Sequence, residues 1–264
     1  MSKIISVHSF RGGTGKSNTT ANLSAIIAAK GLRVGVIDTD INSPGIHVLF
    51  GLHEDDIKYS LNDYLWGKCE IDKAAHDVTG MLNSDLQGGA GSIPANGKVF
   101  LIPSSIKVGE IARILREGYD VGLLNDGFND LSRDLSLDVL MVDTHPGMNE
   151  ETLLSISISD ALVIILRPDQ QDYQGSAVTV DVARKLEVPT MVLMINKVPA
   201  VFNTADVKLR VEQAYGCEVA ATIAHSDELM ALASTGLFTL RYPESPVTQE
   251  LQRLANRLRR DQVA

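Results

Sequence analysis

The sequence predicts an α/β fold, a doubly wound and mostly parallel sheet with helices on both faces. Three observations predict it. Strand-like segments such as 139–143 (VLMVD) and 161–166 (ALVIIL) are continuous apolar runs, as in strands buried on both faces. Helical segments alternate with them along the chain. The first strand also leads through a glycine-rich loop, residues 11–17 (RGGTGKS), straight into a helix.

Taken in order, residues 3–9 (KIISVHS) read as the first strand. Residues 17–30 carry Ala21, Leu23, Ile26 and Ile27 at helical spacing, with Gly31 placed to stop the helix. Residues 33–38 form the next strand. The pattern weakens over 53–98, where turn signals at 87–91 and Asn96-Gly97 mark a variable, peripheral segment. Strand character returns at 99–102, 139–143, 161–166 and 190–196, with helices expected over 174–186 and 204–215. A last helix is expected over 246–260, and one domain over 1–264, because no Pro/Ser-rich linker or charge block divides the chain.

The 264 residues are 44% hydrophobic and 22% charged, an ordinary globular balance. A formal net charge of −9 argues against an obligate sequence-reading nucleic-acid binder and leaves room for a local basic face. Cys69 and Cys217 stand alone without CxxC spacing, so neither a disulfide framework nor a metal-binding cluster is indicated. No leader pattern opens the chain and no apolar run nears the ~18 residues of a membrane span, so a cytoplasmic protein is expected.

The glycine loop carries the chemistry. Gly12, Gly13 and Gly15 let backbone N–H groups converge on an anion, and the following helix adds its positive N-terminus. Lys16 follows as a point charge for β- and γ-phosphates, and the Ser17 hydroxyl as a Mg²⁺ ligand. Asp143 ends an apolar strand, where open α/β sheets bind ligands, and suits Mg²⁺ through a water. Asp38 ends another strand, and Asp40 two residues on is placed to orient or deprotonate an attacking water. Asn196 offers the donor and acceptor that an adenine edge needs. His145 is a candidate γ-phosphate sensor, and His8 reads as a satisfied core residue.

Phe10 occupies the place where the ordinary Walker A pattern has its first glycine. The loop RGGTGKSNTT resembles instead the deviant Walker A loop of the ParA/MinD class of P-loop ATPases. Residues 36–40 (VIDTD), 99–104 (VFLIPS), 141–147 (MVDTHPG) and Asn196-Lys197 resemble further motifs of that class in the same order, so the resemblance covers most of the chain. It implies ATP and Mg²⁺ as cofactors, nucleotide contacts from Arg11, Gly12, Gly13, Thr14, Gly15, Lys16, Ser17, Asn18 and Asn196, and a metal shell of Ser17, Asp143 and Asp38. It assigns Asp40 to the attacking water. The class dimerises on ATP and is reset by hydrolysis, which an adaptor or activator on the cargo stimulates.

Arg11 is the departure, since the class has a lysine there that reaches the partner's nucleotide. Arginine keeps the charge and adds a planar fork that grips phosphate oxygens bidentately. It is therefore the candidate finger in trans, a device worth about 10³–10⁵ in rate among GTPases. In the tail, Val247, Leu251, Leu254 and Leu258 form one helical stripe, with Arg253, Arg257, Arg259 and Arg260 off it. Three roles compete for this helix: packing on the sheet, holding non-specific DNA with a nucleoid-associated location, and docking on a membrane. Without Trp or Phe on the stripe, the membrane role ranks last. The function expected is a dimerising, cargo-positioning ATPase, weak until stimulated. The alternatives are a MinD-like division-site ATPase recruited to membrane and a P-loop ligase or reductase-like enzyme.

Overall fold

The computed structural model describes residues 2–84 and 92–259. Its strands are β1 (Lys3–His8), β2 (Arg33–Asp38), β3 (His76–Asp77), β4 (Lys98–Ile102), β5 (Val139–Asp143), β6 (Ala161–Leu166), β7 (Thr190–Val198) and β8 (Val219–Ala224). They form one sheet in the order β3-β4-β2-β5-β1-β6-β7-β8. All neighbours pair in parallel except β3 with β4.

The continuous apolar runs arise because both faces are covered. Along β5, Val139 and Met141 point into one core while Leu140 and Val142 point into the other. Leu162 and Ile164 of β6 pack under the helices Gln170–Lys185 and Thr204–Tyr215 through Val180, Ala183, Val207 and Val211. The helix α1 (Lys16–Ala28) is buried round most of its circumference, because the sheet covers one side and the helix Pro246–Arg259 the other. A helix enclosed this way needs small and apolar residues all round, which Ala21, Leu23, Ala25, Ile27 and Ala28 provide. Gly31, at φ +84°, ends it as anticipated.

Two strands carried no usable sequence signal. β3 is only two residues long, and β8 (VAATIA) is too alanine-rich to read as a strand. Residues 53–84 are tied to the sheet rather than loosely appended: Leu61, Leu65, Ile71 and Ala74 share a core with Phe128 and Leu131, and β3 extends the sheet edge. The turn signal at 87–91 lies outside the described residues.

The stripe of Pro246–Arg259 is consumed by packing, with Val247, Leu251, Leu254 and Leu258 all buried. It therefore has no free apolar face for a membrane. Arg253 pairs with Glu250, and Arg257 Nε lies 2.9 Å from Glu218 Oε2. The helix thus carries less uncompensated positive charge than its composition implies, while Arg260 lies outside the described residues. No described helix is long and apolar enough to cross a membrane. Because Leu254 is fully buried between α1 and β8, Leu254→Ala should cost about 2–5 kcal/mol in urea unfolding. A loss below ~0.5 kcal/mol, normal for surface positions, would mean that the helix is not part of the core.

Candidate functional site

The loop between β1 and α1 sits at the carboxyl edge of the sheet, where β5 flanks β1 on one side and β6 on the other. This is the switch point at which open parallel sheets bind ligands. Gly15 caps α1 at φ +98° and brings no side chain to the helix's first N–H groups. Nor is there an acidic residue in the first turn to compete with an incoming anion. A Cβ on Gly15 would stand 2.5 Å from Asn196 Nδ2, so only glycine allows this approach.

That contact belongs to a staple. Asn196 Nδ2 donates to the Thr14 carbonyl at 2.7 Å, and Lys197 Nζ donates to the Gly13 carbonyl at 2.8 Å. The pair ties the loop to the end of β7. Asn196 also borders a cavity of ≈ 220 Å³ with Asn18, Met194, Leu229 and Met230, next to Gly15. Phe10 lays its ring against Gly175, where any Cβ would collide with it. Arg11, Gly12 and Gly13 are exposed, Thr14 and Lys16 are buried, and Ser17 and Asn18 are half-buried in the first turn of α1.

The predicted carboxylates converge on Lys16. Its Nζ lies 3.3 Å from Asp143 Oδ1 and 3.8 Å from Asp40 Oδ2. Parallel pairing of β2 and β5 sets Asp38 directly beside Asp143. Burial, followed by the charge of Asp143, holds the Asp38 carboxyl well above the usual carboxylate range despite Lys16. Burial likewise raises Asp40, against the pull of Lys16 and His145. For Lys16 itself, burial works against the charge, but Asp143, Asp40 and Asp38 outweigh it and raise its pKa. Lys16 is therefore an ammonium at any ordinary pH.

Asp38 accepts the Asp40 N–H at 3.0 Å and the Gly45 N–H at 3.4 Å, so both its oxygens already shape the following loop. Asp143 Oδ1 accepts from Thr20 at 3.3 Å, whereas its buried Oδ2 has no hydrogen-bond partner among the described residues. Three carboxylates around one ammonium leave an excess of negative charge that a cation would offset. Among the described residues no set of three His, Cys, Asp or Glu forms a complete metal cage. The donor set fits Mg²⁺ held mainly by phosphate and water oxygens, with the Ser17 hydroxyl and Asp143 Oδ2 as the protein's share.

Arg11 is 42% exposed and folds back on its own chain, 3.8 Å from Asp169 and 3.7 Å from Asp172. These two partners carried no sequence signal, since they sit more than 150 residues away on the helix after β6. Cys69 and Cys217 are separate free thiols.

His8 is only half satisfied. The Thr144 hydroxyl gives its proton to the Val7 carbonyl, so His8 Nδ1–H must donate to Thr144, and buried Nε2 is left without a donor. Burial, then the charges of Lys16 and His145, lowers its pKa from 6.5 to about 3. A group that binds its proton more weakly when folded stabilises the fold above pH 6.5 and loses that contribution as pH falls towards 3. Between pH 7 and 5 the wild type should therefore lose about 2 kcal/mol more than His8→Asn, by denaturant unfolding at each pH. Equal losses would show that His8 is not held neutral.

Comparison with known proteins finds relatives in sequence and in fold. The chain is 25% identical over 259 residues to an ATP-binding protein of Methanocaldococcus jannaschii, covering 98% of this chain and 88% of that one. It is 27% identical over 197 residues to the iron–sulfur cluster carrier protein of Pyrococcus furiosus, covering 73% and 60%. The fold matches the P. furiosus cell division ATPase MinD with a TM-score of 0.79 at 18% identity, over the whole of both chains. A model described as the AAA domain matches residues 2–188, which takes in the phosphate loop, Asp40, Asp143 and the partners of Arg11, and the chain belongs to that AAA-domain family.

Proposed function

We propose that this chain is an ATPase that dimerises with ATP bound and is reset by hydrolysis, positioning an intracellular cargo through an adaptor protein. The observation that carries the reading is the convergence of Asp40 and Asp143 on Lys16 at the head of an uncapped glycine loop. An arriving triphosphate draws Lys16 off the two carboxylates. That frees Asp40 to take a water proton and Asp143 to order the metal's water shell. Mg²⁺ would supply charge neutralisation on the β- and γ-phosphates. The apolar wall beside Asn196 is where we place adenine, with Asn18 and Asn196 at its rim.

Exposed apolar residues support a macromolecular contact at this end of the molecule. Val48, Val108, Val201, Phe202 and Met230 are all exposed, and each follows the carboxyl end of a strand, the end that carries the nucleotide loop. Arg11 is exposed, Asp169 is half-buried, and buried Asp172 keeps Arg167 Nε at 2.9 Å, so the contacts of Arg11 can be exchanged for a partner's phosphate without leaving Asp172 unpaired. A cluster-carrying role, as named for the Pyrococcus relative, is less well supported, because Cys69 and Cys217 lie on separate parts of the chain without CxxC spacing.

Lys16→Ala should abolish ATP binding in a calorimetric titration, since the phosphate charge and the carboxylates would lose the ammonium that faces them. Equal or tighter GTP binding would overturn the adenine assignment. Asp40→Ala should keep ATP binding, slow hydrolysis about 10²–10⁴-fold and accumulate dimer in light scattering. Monomer alone with ATP, for both wild type and Asp40→Ala, would rule out the dimerising switch. Arg11→Ala should bind ATP as a monomer yet dimerise and hydrolyse poorly, and Arg11→Lys should recover much of both. An Arg11→Ala protein with wild-type dimerisation and turnover would reduce Arg11 to a local ion-pair residue.

A further inference from the structure

We infer that His145 is a second catalytic residue of the hydrolysis, holding the attacking water together with Asp40; this rests on the ATPase reading above. His145 Nδ1 lies 2.6 Å from the Pro146 carbonyl, which can only accept. Nδ1 therefore carries a proton, and the ring turns Nε2 towards Asp40. Nε2 stands 3.7 Å from Asp40 Oδ1. That is beyond hydrogen-bond length, and two polar atoms facing across such a gap are joined by a small molecule that hydrogen-bonds to both. Water, with two O–H groups and two lone pairs, does so.

The placement also aims the water. Asp40 divides its work between its oxygens: Oδ2 faces Lys16 at 3.8 Å, while Oδ1 faces His145. Oδ1 further accepts the Ser43 N–H at 3.2 Å, which fixes the carboxylate plane. A phosphate drawn to Lys16 and a water held between Oδ1 and Nε2 then lie on adjacent sides of one side chain. Bonded to Oδ1 and Nε2, the water keeps at least one lone pair to face the phosphate. Attack forms the O–P bond to the γ-phosphorus and breaks the bond from phosphorus to the bridging oxygen. One water proton passes to Asp40 Oδ1 and returns to the inorganic phosphate.

The backbone of His145 is built to keep the ring there. Its carbonyl accepts the Thr152 hydroxyl at 3.2 Å, and Thr144 before it is locked between Val7 and His8. Asn149 caps the helix that begins just beyond, accepting the Thr152 N–H at 2.9 Å. The ring is 25% exposed, which leaves it reachable by water without freedom to swing.

The test is single-turnover hydrolysis with pre-bound ATP in His145→Ala, His145→Gln, Asp40→Ala and the His145/Asp40 double alanine variant, with ATP affinity and thermal midpoint measured beside it. His145→Ala should slow the chemical step at least about tenfold with ATP affinity unchanged. His145→Gln, which restores an acceptor, should recover part of that loss. In the Asp40→Ala background, His145→Ala should cost less than about threefold, because both residues serve one water. A full-rate His145→Ala beside a slow Asp40→Ala would overturn the His145 inference alone, as would an undiminished cost in the double variant. Wild-type turnover in Asp40→Ala would instead bring down the reading beneath it.

Discussion

Lys16 is a buried ammonium at the end of β1's loop, and Asp38, Asp40 and Asp143 crowd it from two neighbouring strands. The pairing of β2 with β5 sets Asp38 against Asp143, two carboxyl groups in a place that water scarcely reaches, where each disfavours the other's charge. Such an arrangement persists only if something positive stands over it, because an unpaired buried charge costs several kcal/mol. Lys16 offsets part of that, and the glycine loop exists in this shape because it delivers Lys16 there. The rest of the imbalance is what makes the site receptive to a divalent cation.

The loop is held from behind and left open in front. Asn196 and Lys197 bond the carbonyls of Thr14 and Gly13, turning the loop's acceptors inward and its N–H groups towards the ligand side. Phe10 fills the notch over Gly175, so the position where the common pattern has glycine becomes an anchor in the core edge. Arg11 sits just past that anchor, its own side chain exposed, 3.8 Å from Asp169 and 3.7 Å from buried Asp172. The loop thus combines a fixed floor with an exposed cation at its lip.

Much of this was legible along the chain. Glycine spacing, a lysine and hydroxyl at the start of a helix, and strand-end aspartates are local patterns with local physical causes. So are apolar runs without alternation, which report burial on both faces. The helix over 204–215 was legible to the residue, because Asn203 caps it and Gly216 ends it. β8 was not, since an alanine-rich strand gains its identity from the neighbour it pairs with. The expectation of a satisfied His8 was half met, because hydrogen-bond satisfaction depends on which atoms arrive from other strands.

By itself, then, the sequence determined the element order, the phosphate loop and the identity of the charged groups that surround it. These follow from short-range rules of periodicity, backbone freedom and charge. Only the tertiary structure decided how those groups meet: Asp38 in register with Asp143, Lys16 shared between Asp143 and Asp40, Arg11 resting on Asp169 and Asp172, and His145 facing Asp40 across 3.7 Å. Each of these depends on the register and packing of elements up to about 160 residues apart, and Coulomb and hydrogen-bond energies change over distances of a few ångströms. Sequence spacing carries no information at that scale.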